Sequence, residues 1–252
     1  MLDILYRDDH LIAIDKPAGL LVHRSEVDRH ETRFAIQLLR DQIGRRVQPV
    51  HRLDRGTSGV LLFAFESDVT RSLSAQFEAG AVEKAYLAVV RGWPPESGRI
   101  VHPLSRMRDE PGASVAKAEP QDALTDYRRL ATVELPFAVD RYPAARYALM
   151  ALHPRTGRRH QLRRHMKHIA HPVIGDATHG KGVHNRFFQR QFSCDRLMLA
   201  CVAMQFRHPA SGTDMCVHAQ PGDQFTTLIE RFGWASAARE ETRRPLAQGT
   251  TP

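Results

Sequence analysis

The sequence predicts an α+β protein built on a mainly antiparallel, mixed sheet with flanking helices. Segments that read as strands outnumber those that read as helices. The two kinds do not alternate regularly along the chain, as a doubly wound parallel fold requires. No internal repeat is present, and 252 residues suffice for one sizeable core.

Leu11-Ile12-Ala13-Ile14 is a short run of strand type, closed by Asp15-Lys16-Pro17-Ala18-Gly19, whose Pro and Gly mark a loop. Leu20-Leu21-Val22-His23 resumes an extended apolar run. A helix is predicted over 31–43, where Ala35, Leu38, Leu39 and Gln42 share one face and Gly44 is the stop. The unbroken run Val60-Leu61-Leu62-Phe63-Ala64-Phe65 is short and follows a glycine, which favours a buried strand over a helix. Ser67 is a candidate cap for a helix running to 79, with Val69, Leu73 and Phe77 at fourfold spacing and Gly80 closing it. Residues 85–90 form the next strand, followed by the turn-rich Gly92-Trp93-Pro94-Pro95.

Residues 103–124 mix charges, prolines and small residues and read as an exposed loop. Strands are predicted over 125–133 and 146–152. Leu162, Met166 and Ile169 lie three and four apart, so a helix begins near Arg159, and His171-Pro172 ends it. Leu197-Met198-Leu199 and Met204-Gln205-Phe206 read as two strands, and 225–232 as a short helix. The folded unit covers 1–234. The stretch 235–252 is small, charged and Pro/Gly-containing, and reads as a disordered tail.

Charge narrows the function classes. Lys and Arg number 36 against 28 Asp and Glu, a net +8, and the pI is near 9.9. Such a balance points to a polyanionic partner. No apolar run reaches the roughly 20 residues of a membrane span. Acids at Asp3, Asp8 and Asp9 stand where a signal peptide carries basic residues, so a cytoplasmic location is expected. Cys194, Cys201 and Cys216 are odd in number and widely spaced, which predicts buried thiols and neither disulfides nor a zinc site.

The stretch His51-Arg52-Leu53-Asp54-Arg55-Gly56-Thr57-Ser58-Gly59 sets one carboxylate between two arginines at the entrance to a core strand. Two readings of Asp54 stand. It bonds its own turn beside solvated arginines, or it is an ionised carboxylate kept so by the positive charge that also meets an anionic substrate. The block from Arg155 to Ala170 contains no acid, so its cluster of Arg158, Arg159, Arg163, Arg164 and Lys167 reads as a phosphate-contacting face. Arg163 follows the core position Leu162, and an arginine at a core edge needs a carboxylate; Asp54 is the candidate. His160, His165, His168 and His171 point away from one another on a helix and lack a nearby acid, so no metal site is expected. Tyr86 is either a sheet tyrosine or a ring that stacks on an unstacked base. No Walker A or G-x-G-x-x-G pattern is present to cradle ATP or NAD.

These segments together resemble the ribosomal large-subunit pseudouridine synthase A family. The residues that carry the resemblance are Lys16-Pro17-Ala18-Gly19 with Val22-His23, His51-Arg52-Leu53-Asp54 with Thr57-Ser58-Gly59, Lys84-Ala85-Tyr86, and Thr156 to Arg163 followed by His171-Pro172-Val173-Ile174-Gly175-Asp176. Val22-His23-Arg24-Ser25, Arg40 to Gly44, Arg163-Arg164-His165 and Phe232-Gly233-Trp234 resemble the branch that modifies uridine 65 of tRNA. Gly56 departs from the proline of that branch.

The resemblance implies the pseudouridine synthase fold over 1–234, with a central RNA-binding cleft. It implies an isomerase that acts, without cofactor or metal, on a flipped uridine of tRNA or of ribosomal RNA. The sequence itself shows no heptads or interface stripe, so a monomer is expected. Asp54, Tyr86 and Arg163 are the implied catalytic residues. Asp54 would act at C1′ or at the 2′ position. Arg163 would orient it, and Tyr86 would stack on uracil and take the C5 proton. Arg52 would occupy the space left by the base. His51, Arg55, Arg158, Arg159, His160, Arg164 and Lys167 are the further RNA-contact candidates. The reading of another class is a non-catalytic RNA-binding protein on the same fold.

Overall fold

The computed structural model describes residues 1–24, 30–107 and 119–246. The strands are β1 (Asp3–Arg7), β2 (Leu11–Lys16), β3 (Gln48–Pro49), β4 (Ser58–Ala64), β5 (Glu83–Arg91), β6 (Ser97–Val101), β7 (Leu124–Leu135), β8 (Ala145–Pro154), β9 (Leu199–Arg207) and β10 (Asp214–His218). The helices are α1 (Ala35–Ile43), α2 (Ser67–Glu78), α3 (Gln161–His168), α4 (Gly182–Phe192), α5 (Asp223–Arg231) and α6 (Ala235–Arg243). One ten-stranded sheet runs β1-β2-β4-β9-β5-β8-β7-β6, with β3 paired to β4 and β10 to β9. Among the described strands, β4 and β9 pair in parallel, through Ser58–Ala200 and Gly59–Cys201, and the others pair antiparallel. The sheet is thus mixed and mainly antiparallel, as expected from the sequence.

The continuous apolar runs follow from burial on both faces. Alternate residues of a strand point to opposite faces. In β5, Tyr86, Ala88 and Val90 join one core, while Ala85, Leu87 and Val89 join another. The first core is covered by α1, α2 and α3, through Leu39, Leu73 and Met166. The second is covered by α4, α5 and α6, through Phe188, Leu228 and Ala238. Each fully buried Leu or Phe side chain stabilises the fold by roughly 2–3 kcal/mol relative to exposure, an upper estimate before chain entropy is counted.

Several expectations need correction. The helix expected over 31–43 starts at Ala35, because Phe34 is extended and bridges Leu21. Gly44 does end it, in the left-handed region at φ 66°. Beyond that bridge, Leu20 to His23 form no strand. Ser67 is the first residue of α2 and not its cap; the cap position is Glu66. The two strands expected around 197–199 and 204–206 are one, β9, whose middle Ala-Cys-Val-Ala is small but fully buried. Cys216 is exposed, unlike Cys194 and Cys201. Leu104 and Gln121 bridge and so close the 103–124 loop, of which 108–118 lie outside the described residues.

The expected tail is helical over its first half. Ala and Glu are strong helix formers, and Ala238 packs into the second core. Glu241, buried at its carboxylate, bonds Arg128 and accepts from His153 at 3.0 Å. Residues 247–252 lie outside the described part. Among the described residues no helix is long and apolar enough to cross a membrane.

Gly59 fixes the register at the parallel crossing. Its φ is +108°, and a Cβ there would lie 2.0 Å from the Cys201 carbonyl oxygen. Gly59→Ala should therefore destabilise the fold by about 3 kcal/mol or more, read from urea unfolding.

Candidate active site

Asp54 sits in the turn that feeds β4. Its carbonyl accepts from the Thr57 amide at 3.0 Å, so the backbone reverses here and lifts the carboxylate from the core. A second loop is tied alongside. The Gly19 amide donates to the Arg55 carbonyl at 2.8 Å. Lys16, fully buried, donates its three N–H groups to the carbonyls of Pro17, Leu20 and Arg55 at 2.9, 2.7 and 3.2 Å. Burial presses the Lys16 pKa down to about 7, against the opposing pull of Asp54.

Arg163 approaches from α3. Its Nη1 donates to Asp54 Oδ2 at 3.0 Å. The sequence-based pairing is therefore present, but it is half of the arrangement. Arg163 Nε and Nη2 both donate to Asp176, at 2.7 Å each. The Asp176 Oδ1 also accepts from the amides of Thr178 and His179, at 2.9 Å each. Burial raises the Asp176 pKa, yet Arg163 and the two amides outweigh it and hold the carboxyl below the ordinary range. The same bonds hold the Arg163 guanidinium above its usual value, against its own desolvation. Asp176 was not singled out from the sequence; Gly175-Asp176 beyond the basic block was its one signal.

Gln161 pins the start of α3. Its Oε1 accepts from the Arg158 amide at 2.9 Å and the Thr156 hydroxyl at 2.7 Å. Its Nε2 donates to the Leu124 carbonyl and the Thr125 hydroxyl, both at 3.0 Å. His160 precedes it in the left-handed region at φ 53°. Its Nε2 lies 3.9 Å from Asp54 Oδ1, and its Nδ1 lies 3.0 Å from Nε2 of His179. Burial, outweighing the Asp54 charge, presses the His160 pKa to about 4, so the ring is neutral near pH 7.

A cleft of about 440 Å³ opens over these groups, a volume in the usual range for ligand sites. Asp54, Tyr86 and Arg163 all line it, as do His51, Arg52, Arg158, Arg159 and His160. Tyr86 is 9 % exposed, and burial, followed by the adjacent Cys201 thiol, holds its phenol pKa well above the ordinary value. Arg52 and Arg158 are exposed at the rim.

The remaining candidates sit differently. His51 accepts the Leu62 amide at Nε2, 3.0 Å away, and stacks on Phe77 with 4.7 Å between centroids. Its ring ties the loop to β4. Arg55 bonds Glu31 and the Gly19 carbonyl, Arg164 donates to the Ser105 carbonyl at 2.9 Å, and Lys167 is exposed; none of the three lines the cleft. His165 is buried against Thr125, and His168 stacks on His102 at 3.7 Å.

Comparisons with known proteins give the fold and the family. The fold matches that of human RNA pseudouridylate synthase domain containing 4 with a TM-score of 0.67, 22 % identity and coverage of 92 % of this chain and 93 % of that one. Human RNA pseudouridylate synthase domain containing 1 matches at 0.65, with 24 % identity and coverage of 92 % and 95 %. The class is thus a pseudouridine synthase fold with a carboxylate–arginine pair in a basic cleft. The chain is 48 % identical over 236 residues to tRNA pseudouridine synthase C of Vibrio cholerae, covering 93 % of this chain and 97 % of that protein. It is 49 % identical over 240 residues to tRNA pseudouridine synthase C of Yersinia pestis, covering 94 % and 93 %. The family model for RNA pseudouridylate synthase matches residues 10–168, and the chain belongs to that family.

Folding lowers the Asp176 pKa, so its carboxylate stabilises the fold fully above the unfolded value of about 4 and ceases to as pH falls through the lower folded value. Asp176→Asn should cost about 3 kcal/mol at pH 7. Thermal melts of the two proteins should converge in acid.

Proposed function

We propose that this enzyme isomerises uridine 65 of tRNA to pseudouridine, with Asp54 as the reacting carboxylate. The observation that carries the assignment is the 3.0 Å bond from Arg163 to Asp54, backed by the Arg163–Asp176 pair. The tRNA substrate is supported by the two relatives named tRNA pseudouridine synthase C, at 48 % and 49 % identity over nearly the whole chain.

The target uridine leaves its stack to enter the cleft. Arg52, exposed at the rim, occupies the vacated space, while Arg158 and Arg159 contact the backbone phosphates. Tyr86 stacks on the uracil. Asp54 acts on the ribose, as nucleophile at C1′ or base at the 2′ position, while the C1′–N1 bond breaks; the base then turns and rejoins through C5. Arg163 holds Asp54 Oδ2, while Oδ1 lies 3.9 Å from the neutral His160 ring. A phenol with a raised pKa stays protonated, so Tyr86 takes the C5 proton only by passing its own proton on; stacking is the better-supported role. We place the reaction in the cytoplasm, on a single chain.

Release of tritium from 5-tritiated uridine in bulk tRNA measures the reaction. Wild type should release it, and Asp54→Asn should do so at least about 10³-fold more slowly. Full activity in Asp54→Asn would remove the central assignment.

A further inference from the structure

Among the described residues, a nearly buried cation on the cleft floor makes no ion pair. Lys84 lies on β5 two residues before Tyr86, on the same face of the strand, and both line the cleft. Lys84 is 8 % exposed. Its Nζ makes no hydrogen bond or ion pair with any described residue; its aromatic neighbour is Phe77, with the ring centroid 5.7 Å away. The adjacent Glu83 is committed to Arg155, whose Nη1 donates to both its oxygens at 2.8 and 2.7 Å. The nearby Cys201 is a neutral thiol, its pKa pushed up to about 12 by burial. Burial presses the Lys84 pKa down, outweighing the opposing pull of the neighbouring Glu83.

A nearly buried ammonium without a partner destabilises the resting protein. It becomes favourable when an anion arrives. A ground-state phosphate is one source, but the exposed Arg52 and Arg158 occupy the rim where a backbone passes, whereas Lys84 is on the floor. Residues two apart on a strand are about 7 Å from one another. A pyrimidine stacked at Tyr86 therefore has its carbonyl edge within reach of the lysine side chain.

We propose that Lys84 is a catalytic residue that stabilises the uracil anion released when the glycosidic bond breaks. The inference rests on the uridine reaction given above. The C1′–N1 electron pair leaves with the base, and its charge spreads over N1 and the two carbonyl oxygens. At C1′ the lost pair is replaced by an Asp54 oxygen, or by the C1′–C2′ double bond formed as Asp54 takes the 2′ proton. A cation fixed beforehand where charge develops lowers that barrier without tightening ground-state binding.

The test compares wild type with Lys84→Met and Lys84→Arg on a tRNA transcript, in single turnover at saturating enzyme, beside binding measured across a salt series. Lys84→Met should lower the rate at least about 100-fold. Its affinity and salt slope should stay unchanged, and its melting temperature should hold or rise because an unpaired charge is gone. Lys84→Arg should recover part of the rate. With 5-fluorouridine at the target, whose base is a weaker base and a better leaving group, the Met deficit should shrink. An unchanged rate would overturn the proposal. So would weaker binding with a salt slope flatter by about one phosphate contact and a normal saturating rate. A melting temperature that drops with the rate would make Lys84 structural and would also overturn it. Wild type that forms no pseudouridine in the transcript would overturn the tRNA reading itself, an outcome distinct from a normal wild type with a fully active variant.

Discussion

The active site depends on one guanidinium shared between two carboxylates. Arg163 spends Nε and Nη2 on the buried Asp176 and Nη1 on Asp54. A planar fork fixes both angle and distance, which a lysine ammonium does not. Asp176 is itself held by two backbone amides, and its carbonyl accepts from the Asn185 side chain at 2.9 Å. The chain of constraint therefore runs from the turn after Gly175, through Asp176 and Arg163, to the carboxylate that faces the ribose. Burying this pair carries a desolvation cost that bidentate geometry and the amides offset.

The sheet carries the other half of the site. Because β5 is covered on both faces, its two-residue period sends Leu87 and Val89 into one core and Lys84 and Tyr86 to the cleft side. Gly59 lets β4 and β9 meet in parallel, which sets the Asp54 turn beside the β5 face. Lys16 then ties the Pro17–Leu20 backbone to Arg55, so two loops distant in sequence move as one. These elements explain how a polar turn and a strand tyrosine come to share a cleft.

Much of this was legible in the sequence, for physical reasons. Long apolar runs made β4, β5 and β8 readable, and the spacing of Leu162 and Met166 made α3 readable. The acid-free basic block left Arg163 in need of a carboxylate, which pointed to Asp54. Edge strands were not legible. β6 and β10 bury few side chains, so their alternation is weak. The helix α6 was missed because its anchors, Ala238 in the second core and the long-range bond of Glu241 to Arg128, are contacts that composition does not reveal. Asp176 was hidden for the same reason: its role lies in a contact thirteen residues away around a turn. His51 showed the opposite failure, since its place beside Arg52 implied RNA contact while its ring is committed to Leu62 and Phe77.

The most direct measurement is the single-turnover rate of Arg163→Lys on tRNA, alongside its RNA affinity. Charge is kept and the fork is lost. If the shared fork sets the position of Asp54, the rate should fall at least about 100-fold with affinity unchanged. A normal rate would show that positive charge near Asp54 is sufficient and that the Asp176–Arg163–Asp54 geometry is not what organises the site.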